Sequence, residues 1–187
     1  FKYMRYLQWH GMLANLISGI WIHGLNSHPL GGWASKDRQP FLWVRDEFAK
    51  AKGTKGMRCI LYGYDNKLLN NPSYQNIEDL GRLLEENLRR EYVQSPQKLM
   101  FFAHSLGGIV LKSAIMMIAS HGRMLLREKI RAIFFFGVPN RGMGISCLLP
   151  MTKGQPIEYF FIQQLEQNSP SLEKLDKKVQ NLSEFWT

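Results

Sequence analysis

Acidic residues are in short supply in this chain, cysteine is nearly absent, and no apolar run reaches the width of a bilayer. The 187 residues include 15 aspartates and glutamates against 24 lysines and arginines, a formal net charge of +9, and the pI is about 9.7. Two cysteines, Cys59 and Cys147, are too few for a disulfide framework or a thiolate metal site, so a reducing compartment is expected. Cys59 lies in an apolar run and reads as a small buried hydrophobe; Cys147 reads as a loop residue. No stretch approaches the ~20 apolar residues of a membrane-spanning helix. "GMLANLISGIWI" (11–22) follows Lys2 and Arg5 in the manner of a signal peptide. No small-residue cleavage site follows, and the run is better explained as the end of a core strand. "HSLGG" lacks the lysine and the spacing of a phosphate-binding loop, and no cofactor or metal is expected.

The positive charge has no nucleic-acid motif beside it. There is no zinc-finger spacing, RNA-binding signature or Lys/Arg run, and the densest basic stretch (Arg123, Arg127, Lys129 and Arg131) is broken by Glu128. A solvated basic surface is the simplest reading, with peripheral contact to acidic membrane as the further role such a surface allows. The expected location is therefore intracellular, either cytoplasmic or peripheral to a membrane. Nucleic acid is not expected as a partner.

What is present is an alternation of two apolar patterns. "LISGIWI" (16–22), "MRCILYGY" (57–64), "KLMFFAH" (98–104) and "IRAIFFFGV" (130–138) read as buried strands. Between them, "PFLWVRDEFAKAK" (40–52), "SYQNIEDLGRLLEENLRREY" (73–92) and "LGGIVLKSAIMMIAS" (106–120) read as helices. Tyr74, Ile77, Leu80, Leu84 and Leu88 recur on one face of the second helix, with Ser73 or Asn76 as its cap. Gly122 is the expected stop of the third. Met116 and Met117 read as core residues. Strands apolar on both faces and alternating with helices predict an α/β fold, a mostly parallel sheet with helices on both faces. Residues 157–167 and 169–186 read as further helices. The chain begins at Phe1 and stops at Thr187 after a helical pattern, and both ends are read as cuts in a single domain, truncated after its fourth recognisable strand.

The chemistry concentrates at one strand-to-helix junction. Ala103-His104-Ser105-Leu106-Gly107 follows the small-x-Ser-x-Gly pattern of a nucleophile elbow, in which a tight turn lifts a serine off the end of the sheet. The helix that begins there has unpaired N–H groups and a positive dipole end, so the backbone N–H of Leu106 is a candidate oxyanion donor. A second donor is expected from the loop after an earlier strand. "WIHGLNSHP" (21–29) supplies it, with Gly24 permitting a turn and the N–H of Leu25 as the donor.

"IHGLNSHPLGGW", "FLWVRDEF", "ILYGYD", "FFAHSLGGIVLKSAI" and "FFFGVPNRGMG" occur in the order seen in a lipase-like family of α/β-hydrolases. Over residues 16–145 the chain resembles the serine esterases of the serine-active-site-containing protein type. Related domains stand at the front of fungal multidomain proteins, ahead of NACHT, ankyrin or tetratricopeptide regions, so fusion to further domains is expected. The resemblance implies an α/β-hydrolase fold, Ser105 as nucleophile, Leu25 and Leu106 as oxyanion donors, and an ester or lipid-like substrate. The sequence departs from the family at Val138-Pro139-Asn140-Arg141-Gly142, where Thr-Pro-His-Arg-Gly is usual, which is expected to reshape the pocket.

The base and the acid are harder to find. His121 lies sixteen residues past Ser105, about 24 Å along a helix, and reads as an end-cap. His104 adjoins the serine but projects elsewhere from a tight turn. His23 is expected to hold the oxyanion loop, His28 to border the pocket, and His10 has no clear place. Asp65 is read as shaping a turn, and Glu158, Glu166, Glu173, Asp176 and Glu184 as solvated helix residues. In such enzymes the acid and the histidine follow the serine in the chain, and both are expected beyond Thr187. Two functions stay open: a serine ester hydrolase, inactive or very weak as this piece, and an inactive hydrolase-like binding or signalling domain.

Overall fold

Strand β2 (Ile17–Ile22) sends alternate side chains to opposite faces of the sheet, and that period of two organises the molecule. A computed structural model describes residues 4–7, 17–25, 27–35, 41–54, 56–64, 76–148 and 164–183. Ile20 and Ile22 join one core cluster; Trp21, between them, joins the other. Strand β3 (Arg58–Tyr62) repeats the division, with Ile60 and Tyr62 on one face and Cys59 and Leu61 on the other. So does β4 (Lys98–His104), with Phe101 and Ala103 opposed to Phe102.

The strands lie in the order β1-β3-β2-β4-β5. β2, β3, β4 and β5 (Ile130–Phe136) are mutually parallel, and β1 (Met4–Leu7) runs antiparallel on β3. This is the mostly parallel sheet expected, with one addition: β1, four residues of mixed polarity, carries no recognisable strand pattern.

The larger cluster lies under two long helices. Helix α2 (Ile77–Tyr92) buries Ile77, Leu80, Leu84 and Leu88 on one side. Asn76 caps it, and the Asp79 carboxylate returns a bond to the Asn76 N–H, a capping box. Ser73 and Tyr74 lie outside the described residues. Helix α3 (Leu106–Ser120) is apolar almost throughout. It crosses α2 so closely that a Cβ on Gly81 would stand 2.5 Å from Ser113 Cβ. Met116 and Met117 are half-buried. Helix α3 ends where Gly122 takes a positive φ of 62°, as its position predicts.

The second face is aromatic. Trp21 stacks on Phe102 at 4.0 Å, and Phe102 on Phe134 at 5.0 Å, a ladder across β2, β4 and β5. Trp33, Trp43 and Phe48 meet Trp21 edge-on. Trp33 ends a 3-10 turn (Gly31–Trp33), whereas Trp43 and Phe48 come from the segment read as one helix over 40–52, which the structure breaks into α1 (Trp43–Asp46) and two 3-10 turns. The side chains explain the break. The Asp46 carboxylate turns back to accept the Leu42 N–H at 2.8 Å. The Thr54 hydroxyl donates to the Phe48 carbonyl, the acceptor a continuing helix would offer to Lys52.

After α3 a short helix, α4 (Met124–Arg127), leads into β5, and α5 (Ile145–Leu148) holds the exposed Cys147, read from the sequence as a loop residue. Helix α6 (Pro170–Ser183) packs on α3 through Leu172. Strand β5 forms a sheet edge among the described residues, and Phe134, Phe135 and Phe136 are 42%, 40% and 38% exposed. Cys59 is buried as expected, and burial pushes its thiol pKa up to about 11.

Candidate active site

The strand order places a crevice. From β2 the chain crosses to β3 on one side, then returns past β2 to form β4 on the other. In an open parallel sheet such a reversal leaves a gap outside the C-terminal ends of the two central strands, where ligands are commonly bound. Here those ends are His23-Gly24, after β2, and Ser105, after β4. The structure thus brings together the elbow and the loop after β2, both singled out in the sequence.

Ser105 has φ 53° and ψ −127°, a combination that costs a non-glycine residue about 1–3 kcal/mol. The strain sits on the serine itself; Ala103 is not among the residues with positive φ. The conformation is held from three sides. The Ser105 N–H donates to the Phe136 carbonyl at 2.9 Å, tying the turn to the end of β5. A Cβ on Gly107 would lie 2.7 Å from the Ile22 carbonyl oxygen, and closer still to that of His23. A Cβ on Gly108 would run into the side chain of Val138. Gly24 is needed for space rather than for an unusual φ, since its Cβ would fall 2.9 Å from Ser105 Cβ and 3.4 Å from Ser105 Oγ. The Ser105 side chain makes no capping bond to α3. Leu106, the first residue of α3, is buried, and Leu25 packs partly buried against the core. Trp33 approaches His104 and Phe136 at 6.2 and 6.3 Å between ring centroids, so the rim beside the serine is aromatic.

His23 lies beneath this site, 1% exposed. Its Nδ1 is 3.0 Å from the Gly24 carbonyl oxygen. A carbonyl can only accept, so the proton is on Nδ1. The ring stacks on Tyr64 at 4.7 Å, and the Tyr64 hydroxyl donates to the His23 carbonyl at 2.8 Å. His23 therefore holds the loop, as read from the sequence. Burial lowers its pKa from 6.5 to about 4, against the opposing bond to Gly24. The unfolded chain takes up a proton that folded His23 refuses. Stability from this residue is thus intact above pH 6.5, declines as pH falls, and is exhausted near pH 4. The loss is about 3 kcal/mol over that window. Urea midpoints measured across it should converge for His23→Gln relative to the parent; an unchanged difference between the two would contradict the assignment.

Among the described residues no other histidine is hydrogen-bonded to Ser105, although His104 adjoins it in the chain and a Cβ on Gly24 would lie 3.1 Å from His104 Nδ1 and 3.4 Å from Ser105 Oγ. His28 is exposed and accepts the Leu30 N–H at 3.2 Å. His104 is exposed. His121 is the C-cap at the far end of α3. Glu166 forms a bridge to Met143, and Glu173 begins α6. His10, Asp65, Glu158 and Glu184 lie outside the described residues. Among the described residues no group of three metal-ligating side chains occurs, and no helix is long and apolar enough to cross a membrane.

The reading of Asp176 as a solvated helix residue is corrected. Asp176 is not solvated: it pairs with Lys112 of α3, whose side chain is 7% exposed. Lys112 Nζ also donates to Asn140 Oδ1 at 2.8 Å and lies 5.0 Å from the Phe135 ring centroid. Asn140, at the position where the sequence departs from Thr-Pro-His-Arg-Gly, thus helps fasten the loop after β5 to the elbow helix. A lone lysine inside "IVLKSAIMM" is the signal that marks such a buried cation.

A family profile described as "Putative serine esterase (DUF676)" matches residues 19–146, more than half of the chain. The chain belongs to this serine esterase family. The match starts within β2 and takes in the crevice, the elbow and β5. Among solved structures, this family member is similar to the mature form of the Bacillus licheniformis lipase BlEst2, with a TM-score of 0.60 and 17% identity over 96% of this chain and 66% of the lipase. It is also similar to the phospholipase PlaB from Legionella pneumophila in complex with thio-NAD, with a TM-score of 0.56 and 16% identity over 86% of this chain and 33% of that one. At these identities the likeness is one of fold. The chain spans less than two thirds of either protein's length. No curated protein matches it in sequence.

Proposed function

We propose that this chain carries the nucleophile and oxyanion hole of a serine hydrolase acting on esters with an apolar acyl group. The observation that carries the reading is Ser105 held at positive φ at the switch point of the sheet, packed against Gly24. Ser105 Oγ attacks the ester carbonyl carbon and gives up its proton to a base. The N–H groups of Leu25 and Leu106 receive the oxyanion, and the Leu106 N–H belongs to the first turn of α3, where no intrahelical acceptor exists. Collapse of the tetrahedral intermediate expels the alcohol with a proton and leaves an acyl-serine. Water then hydrolyses that intermediate and restores the hydroxyl. The rim of Trp33 and Phe136 suits an apolar acyl chain. On this reading the base is a histidine with an acid partner supplied by another segment of the polypeptide: His23 is committed to Gly24 and Tyr64, His28 is exposed and bonded to Leu30, His104 is exposed and makes no hydrogen bond to Ser105, and His121 is a helix length away.

The test is a fluorophosphonate probe applied to the full-length protein, with the adduct mapped by mass spectrometry. Labelling on Ser105 that disappears in Ser105→Ala is expected. Labelling that persists in the variant, or none in folded protein, would sink the proposal.

A further inference from the structure

We propose that the cleft between the C-terminal end of α2 and the turn at α4 docks on the surface of an acidic phospholipid bilayer. The cleft has a volume of about 510 Å³, and Arg89, Arg90, Val93, Arg123, Met124 and Leu125 contribute to its walls. No acidic side chain lines it.

Two features coincide there. The first is exposed apolar surface: Met124 and Leu125 are each 62% exposed, more than any other large hydrophobic among the described residues. Single exposed hydrophobics are ordinary. An adjacent pair at the tip of a turn anchored by the fully buried Leu126 is an apolar patch built to protrude. The second is cationic charge. Arg89 has no ion pair among the described residues, and Arg90 is bonded to the neutral Asn87. Arg123 is oriented by the buried Glu85 at 3.3 Å. Residues 121–131 add Arg127, Lys129 and Arg131 against a single acid, Glu128. Glu86 and Glu91 lie on α2 outside the cleft lining.

Guanidinium groups beside protruding aliphatic side chains match the two layers of a lipid surface, phosphate above and acyl chain beneath. Each arginine near an acidic leaflet strengthens binding by about fivefold, and each buried Met or Leu side chain by roughly tenfold or more. A single-stranded nucleic acid would use the cations but find no aromatic ring in the cleft to stack on, and it would leave Met124 and Leu125 in water. The cleft sits at the end of α3 away from Ser105, about 22 Å along the helix. Docking therefore leaves the crevice facing away from the bilayer, and the proposal does not depend on any reaction at Ser105.

Cosedimentation of the chain with phosphatidylcholine vesicles, with and without phosphatidylserine, tests it. Binding is expected only to the acidic vesicles and should weaken as salt is raised. Arg89→Glu/Arg90→Glu should reduce it by about twentyfold or more, and Met124→Asp/Leu125→Asp by at least as much. Lys177→Glu/Lys178→Glu makes the same charge change on exposed positions of α6 and should stay within about twofold of the parent. All of these side chains are exposed, and near-UV dichroism checks that each variant is folded. Ser105→Ala should bind vesicles like the parent. Equal binding to neutral vesicles, no binding to acidic ones, parental binding by Met124→Asp/Leu125→Asp, or an equal loss in the α6 control would each overturn the proposal.

Discussion

Ser105→Gly is expected to melt about 3 °C above the parent chain and, in the full-length protein on the proposed mechanism, to lose ester turnover by at least ~10³-fold. Both effects come from one backbone conformation. At φ 53° and ψ −127°, the residue has the dihedrals of the first central position of a type II′ turn, a conformation that favours glycine. A serine there carries about 1–3 kcal/mol of strain. Glycine removes it but returns about 0.4–1 kcal/mol through the greater freedom of the unfolded chain. The net gain is about 1 kcal/mol, or roughly 2–4 °C for a chain of this size. Ser105→Ala is the necessary partner: it removes the hydroxyl but keeps the Cβ, and so keeps the strain. On the proposed mechanism both variants lose the nucleophile, and the residual rate comes from the oxyanion donors and binding alone. Calorimetry on the two variants separates conformation from chemistry. If glycine melts below alanine, the turn is not strained as described.

The second large effect is at Lys112. Lys112→Met should cost about 3 kcal/mol, because it strands the Asp176 carboxylate, 19% exposed, and leaves the Asn140 carbonyl without its donor. Adding Asp176→Leu should recover most of that loss, since an apolar pair of similar volume needs no desolvation of charge. The double-mutant cycle from urea midpoints is expected to show a coupling above ~1 kcal/mol. Additive single effects would mean that the pair is incidental. The node joins α3, the loop after β5 and α6. Its loss should also loosen the elbow, which shares α3 with Lys112 and is tied to β5 through Phe136.

What the sequence made legible follows from how local each cause is. Strand β4 and helix α3 are read to the residue, because an unbroken apolar run switches period at Ser105. Asn76 as the cap of α2 is equally local, since its partner Asp79 is three residues away. Helix α1 is misjudged because the apolar spacing of Phe41, Val44 and Phe48 says nothing of Asp46 and Thr54 competing for the backbone. The role of Gly24 is legible as flexibility, but the actual demand, room for Ser105, is visible only in three dimensions. The Lys112–Asp176 pair spans 64 positions of sequence, and no periodicity announces it.

The order of the sheet has a kinetic consequence. Gly24 and Ser105 meet only because β4, Lys98–His104, lies against β2, Ile17–Ile22, on the side that β3 leaves free. Closing so long a loop is entropically slow compared with forming a helix or a local turn. A nascent or partly folded chain in which β2 has found β3 but not β4 already holds half of its crevice, yet has no place to put a serine. Competence to react at Ser105 thus reports closure of the most distant strand pairing in the sheet. It should rise with the slowest refolding phase rather than with the appearance of helix.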